Sequence, residues 1–148
     1  MIIKSYNLQR NFNKEINFFL LYGNNRGLMD ETLKNFFIPP IFSKNITRYE
    51  ESEILGNIKI FEESIYNKSF FEDKKLIIIS RASDKILKVL EEIIEKEVEN
   101  LKIVILADIL EKKSKLRNYF EKSKVTITIP FYEDNHQTLF LLTKKFLS

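Results

Sequence analysis

The sequence predicts an α/β fold of three layers, with a mostly parallel sheet covered by helices on both faces. Two observations carry this. The runs Phe18-Phe19-Leu20-Leu21-Tyr22, Leu76-Ile77-Ile78-Ile79 and Ile103-Val104-Ile105-Leu106-Ala107 are continuously apolar, as strands buried on both faces are. Between them lie segments whose apolar residues recur at helical spacing. Strands alternating with helices call for right-handed crossover connections and a parallel sheet. The 148 residues suit one domain, a size that buries roughly two-thirds of its unfolded surface.

Each element has its own warrant. Residues 1–15 are polar with scattered apolar positions and predict a short lead-in helix or strand. The first strong strand, residues 18–22, ends at Gly23, and a turn cluster Gly23-Asn24-Asn25-Arg26-Gly27 follows. Met29, Leu33, Phe36 and Phe37 share one face of the next helix. Pro39-Pro40 lies beyond its end, where it cannot continue. Residues 45–49 fit a short strand. Ser52 is placed to cap a helix whose Ile54, Ile58, Phe61 and Ile65 face one way. After the strand at 76–79, Asp84 is placed to cap the most regular amphipathic helix. Its apolar face is Ile86, Val89, Leu90, Ile93, Ile94 and Val98, and Glu92 and Lys96 form an outward i,i+4 pair. Residues 103–107 give the next strand. Residues 113–122 read as a helix with Leu116, Tyr119 and Phe120 inward. Residues 125–129 read as a strand stopped by Pro130, and residues 135–147 as a last apolar helix.

Composition narrows the function classes. A net charge of +3, from 24 Lys and Arg against 21 Asp and Glu, is too small to imply nucleic-acid binding by itself. With no cysteines, disulfides and thiolate metal sites are excluded. Met1-Ile2-Ile3-Lys4-Ser5 lacks the apolar core of a signal peptide. No apolar run approaches the ~20 residues a bilayer span needs. The expectation is a cytoplasmic protein without a membrane partner.

Four stretches invite a functional reading. Strand, Gly-bearing turn and helix at Gly23, Asn24, Asn25, Arg26, Gly27, Leu28 and Met29 have the setting of a phosphate-binding loop. That loop needs two glycines at fixed spacing followed by Lys and a hydroxyl. Here the spacing is one residue short, and Leu28 and Met29 stand in the last two positions. The expectation is a degenerate loop that takes no cofactor, with a divergent nucleotide enzyme, Arg26 replacing the lysine, as the rival. Asp84 and Asp108 follow strands, where metal ligands of nucleotide sites also sit, but helix capping is the commoner role. His136 is the single histidine, near a helix start, and neither a nucleophile nor a metal set accompanies it. Lys112, Lys113, Lys115, Arg117, Lys122 and Lys124 form the densest basic patch. It is a solvated helix face or, as a second rival, a DNA-binding surface.

The fourth stretch joins a helix ending near Asn67 to the strand at 76–79, and contains Ser69, Phe70 and Phe71. Two phenylalanines before a strand are ordinarily core. Adjacent side chains nevertheless point in different directions in a helix or a strand, so one of the two is expected to face outward. An exposed aromatic pair on firm support suits a protein-binding hot spot.

Several pieces, in order, resemble the delta subunit family of bacterial DNA polymerase III, the clamp-opening subunit of the clamp loader. They are Phe19-Leu20-Leu21-Tyr22-Gly23, Ser69-Phe70-Phe71 leading into Lys74-Lys75-Leu76-Ile77-Ile78-Ile79, and Leu101 to Asp108. Leu110-Glu111-Lys112-Lys113-Ser114-Lys115-Leu116-Arg117 and Phe131-Tyr132-Glu133-Asp134-Asn135 complete the series. The resemblance implies a RecA-like domain of the AAA+ type that binds no ATP and has no catalytic site of its own, within a DNA polymerase holoenzyme. It implies a partner, the sliding clamp, entered by a hydrophobic pair, typically Ser-Leu-Phe. The matching positions are Ser69, Phe70 and Phe71, with Phe70 in place of Leu. It further implies other loader subunits as partners, met through a lid and a collar domain not contained in these residues, and DNA reached indirectly through the loader.

Overall fold

A computed structural model of the chain describes residues 2–4, 16–38, 46–66 and 75–132. Five strands form one sheet: β1 (Phe18–Gly23), β2 (Ile46–Glu50), β3 (Lys75–Ser80), β4 (Leu101–Ala107) and β5 (Thr126–Phe131). Their order is β2-β3-β4-β1-β5, and every pairing is parallel. The helices are α1 (Arg26–Thr32), α2 (Glu51–Gly56), α3 (Ile58–Tyr66), α4 (Leu87–Glu95) and α5 (Lys115–Lys122). The α/β expectation is met, and the arrangement is consistent with a RecA-like three-layer fold.

The strand order dictates which face each helix covers. The chain moves from β1 to β2 in one direction across the sheet, then from β2 through β3 and β4 to β5 in the other. With right-handed crossovers, reversing direction changes the face. The packing agrees. Met29, Leu33 and Phe37 pack with Phe19, Leu21, Ile78, Val104 and Ile127 on one face. Ile54, Phe61, Ile65, Leu90, Ile93, Leu116 and Phe120 pack with Leu20, Ile77, Ile103 and Ile105 on the other. Neighbouring strand residues alternate between the two cores, as strand geometry requires.

Several local expectations change. The first helix passes into a π-helical turn, Leu33–Phe37, closed by the Ile38 amide donating to the Leu33 carbonyl at 2.9 Å. The Phe37 ring then meets Phe19 edge-on at 4.8 Å. Ser52 lies inside the helix: β2 runs straight into α2, and the cap is Glu50, two residues earlier, in a reciprocal capping box with Glu53. The expected single helix is two, broken at Asn57, whose side chain accepts from the Ile60 amide. The break resets the helical register, so Ile58 is 37% exposed while Ile54, Phe61 and Ile65 are buried. Ser83 starts the turn before α4, and Asp84 serves a different helix. Pro130 does not stop β5, which continues to Phe131. β5 is an edge strand of the sheet, where a missing amide donor is tolerated. Beside that edge, the Ile3 amide donates to the Thr128 carbonyl at 2.9 Å. Pro39, Pro40, His136 and the expected helix at 135–147 lie outside the described residues. Among the described residues no helix is long and apolar enough to cross a membrane.

Candidate functional site

In an open parallel sheet, ligands sit outside the strand C-termini where the strand order reverses direction. Here that crevice lies between β1 and β4, and the loop after β1 borders it. Gly23 is held at φ 134°, and a Cβ there would fall 1.8 Å from the Phe131 carbonyl oxygen. Only glycine permits this conformation at this separation. The helix begins at Arg26, earlier than the turn cluster suggested, which shortens the loop. A Cβ at Gly27 would make only an ordinary contact, 3.9 Å from the Asn25 Oδ1, so no close approach requires a glycine there.

A phosphate cradle works by aiming free backbone amides at the anion. Four amides of this loop are committed elsewhere. Gly23 donates to the Asp108 carbonyl, Asn25 to the Phe131 carbonyl and Met29 to the Asn25 carbonyl. The Leu28 amide donates to the Asn25 side chain at 3.1 Å, capping α1. Arg26, the stand-in for a phosphate-binding lysine, instead pairs with the Asp108 carboxylate at 2.7 Å. That hydrogen bond, and the carboxylate charge, raise the pKa of the guanidinium further.

The two strand-end aspartates therefore have structural partners. Asp108 holds Arg26. Asp84 accepts from the Ser114 hydroxyl at 2.6 Å and the Leu116 amide at 3.0 Å, fixing the start of α5. The Ser114 hydrogen bond, helped by the Leu116 and Lys115 amides and opposed by burial, holds the Asp84 carboxyl below its ordinary pKa. Among the described residues no group of three or more His, Asp or Glu side chains is arranged to hold a metal.

The basic patch is divided. Lys112, Lys113, Lys115, Lys122 and Lys124 are exposed, and Lys113 pairs with Glu111. Arg117 turns inward: it bonds Glu121 at 3.0 Å and the Leu110 carbonyl at 2.8 Å, and lies 5.1 Å over the Tyr22 ring. Burial, then the hydrogen bond with Tyr132, pushes the Tyr22 hydroxyl pKa far up. Phe120 is buried and Tyr119 half-buried, so no aromatic platform accompanies the lysines on the outer face.

Ser69, Phe70 and Phe71 lie outside the described residues, but both elements that flank them are described. α3 ends at Tyr66 and β3 begins at Lys75. This is the N-terminal edge of the sheet, opposite the crevice. β3 alone separates the two edges by about 17 Å at ~3.3 Å per residue. The Lys96 ammonium lies 4.2 Å from the Tyr66 ring centroid, and the Lys75 amide donates to the Asn100 carbonyl at 2.8 Å. Sequence reasoning missed these contacts and the Arg26–Asp108 pair. All join residues far apart in the chain, and local pattern carries no signal for them.

A family model described as DNA polymerase III, delta subunit matches residues 19–130. No curated protein matches the chain at a significant level.

Proposed function

The chain belongs to the DNA polymerase III delta subunit family, a component of the clamp loader, and we propose that it binds and opens the sliding clamp through Ser69, Phe70 and Phe71. The observation that supports this most is the family match from residue 19 to residue 130. It takes in most of β1, all of β2 to β4, most of β5, and the segment between α3 and β3. Phe70 and Phe71 enter a hydrophobic pocket on one protomer of the ring. Burying each ring contributes ~1.5–3 kcal/mol, before the costs of association. Docking opens the ring only in so far as the open ring is bound more tightly than the closed one.

On this reading the subunit is not an enzyme and binds no nucleotide. The occupied amides around Gly23 and the Arg26–Asp108 pair support that. ATP-driven control then comes from other subunits of the loader, and DNA is met through the assembled loader. A competition experiment tests the reading. A peptide occupying the clamp's hydrophobic pocket should displace this chain from the clamp in a fluorescence-polarisation titration. Undiminished binding at saturating peptide would place the contact elsewhere.

A further inference from the structure

The connection from α4 to β4, residues 96–100, touches both flanks of the segment proposed to enter the clamp. At the helix side, the Lys96 ammonium lies 4.2 Å from the Tyr66 ring centroid, over the last residue of α3. At the strand side, the Asn100 carbonyl accepts from the amide of Lys75, the first residue of β3, at 2.8 Å. Two residues of this short connection have left-handed backbone, Glu97 at φ 47° and Asn100 at φ 56°. Such conformations persist where the surroundings over-determine them. Glu97 has a local explanation, because a left-handed residue commonly ends a helix. Asn100 ends no helix. Its conformation aims its carbonyl at Lys75 immediately before β4 begins at Leu101, and Lys75 and Leu101 are themselves paired in register.

We propose that residues 96–100 form a positioning platform for the clamp-binding segment: Lys96 fixes the end of α3 through Tyr66, and Asn100 fixes the start of β3 through Lys75. The inference rests on the clamp-binding reading above and adds residues that touch no clamp atom in it. Its physical basis is that a ligand's apparent affinity falls with the fraction of the protein in the binding-competent arrangement. Fixing both flanks raises that fraction. Asparagine tolerates left-handed backbone and glycine prefers it, whereas a β-branched residue is a genuine outlier there.

The test uses the whole chain in four single variants: Asn100→Val, Asn100→Gly, Lys96→Met and Lys96→Arg. Clamp affinity is measured by surface plasmon resonance, and amide hydrogen exchange is followed at Lys75 and at Ala82. The Ala82 amide donates to the Leu106 carbonyl at the opposite edge of the sheet and reports on general loosening. Asn100→Val should bind about tenfold more weakly, the left-handed strain converted to an equilibrium ratio. It should exchange faster at Lys75 and unchanged at Ala82. Asn100→Gly should match the parent. Lys96→Met should weaken binding and Lys96→Arg, which keeps a cation over the ring, should restore it. Equal clamp affinity for Asn100→Val and the parent overturns the platform and leaves the clamp reading standing. So does weaker binding accompanied by faster exchange at Ala82, which marks a merely structural role. A parent chain that binds no clamp at all removes the clamp reading itself, and the platform with it.

Discussion

The guanidinium of Arg26 lies 2.7 Å from the Asp108 carboxylate, tying the first residue of α1 to the residue after β4 across the crevice where strand order reverses. The Arg26 cation is thus paired within the protein. Both side chains are well exposed, at 65% and 71%, so the pair is not a structural pillar.

Exposed pairs of this kind are worth about 0–1 kcal/mol. Arg26→Ala should therefore shift the urea-denaturation free energy by no more than that. Calorimetric titration with Mg-ATP should give no binding heat for either the parent or the variant. Saturable heat with the parent would favour the divergent nucleotide enzyme.

Gly23 is the position in this loop that tolerates no side chain. A Cβ would fall 1.8 Å from the Phe131 carbonyl oxygen, on backbone at φ 134°. Relief requires β1 and β5 to separate at their ends, where Gly23 and Phe131 are paired. Gly23→Ala should cost about 2–4 kcal/mol, read from the urea midpoint. Gly27→Ala, whose Cβ would lie an ordinary 3.9 Å from the Asn25 Oδ1, should cost nothing measurable and, in the first turn of a helix, should slightly stabilise.

Asp84 gives the fold an acid dependence with a defined sign. Its carboxyl pKa is lowered in the folded chain by the Ser114 hydroxyl first, then by the Leu116 and Lys115 amides. A lowered folded pKa means that the ionised form favours folding. The contribution is complete above the unfolded value of ~3.9 and is lost as pH falls through the lower folded value. Asp84→Asn should therefore be less stable than the parent at pH 7, by about 1 kcal/mol. That gap should be smaller at pH 3, below the unfolded value. A gap of equal size at both pH values, in paired urea titrations, would contradict the assignment.

How much of this was legible in the sequence follows from the range of each interaction. The buried strands were legible because burial on both faces leaves a continuous apolar run, as in Leu76 to Ile79. Parallel connection followed from the helices between the runs. Helix starts were less legible. Ser52 and Asp84 have the right chemistry for caps, but Glu50 and Ser83 start those helical segments. Asp84 instead reaches Ser114, thirty residues on. Ile58 shows the cost of assuming an unbroken helix. Its spacing to Ile54 and Phe61 was helical, but the break at Asn57 rotated it toward solvent. At the phosphate loop, the missing lysine and hydroxyl were visible as text. The reason the loop is closed was not, because Asp108 and Phe131 arrive from distant strands. The family was legible from the order of short motifs, and the match over residues 19–130 bears it out.

The central claim is that Phe70 and Phe71 carry clamp binding, and the most direct measurement compares the parent with Phe70→Ala/Phe71→Ala on immobilised sliding clamp by surface plasmon resonance. Removing two rings from a hydrophobic pocket should weaken binding about a hundredfold or more, at ~1.5–3 kcal/mol for each ring. The thermal midpoint of the double variant should stay close to that of the parent, because rings reserved for a partner contribute little to the isolated fold. Equal clamp affinity for the two chains would contradict the account.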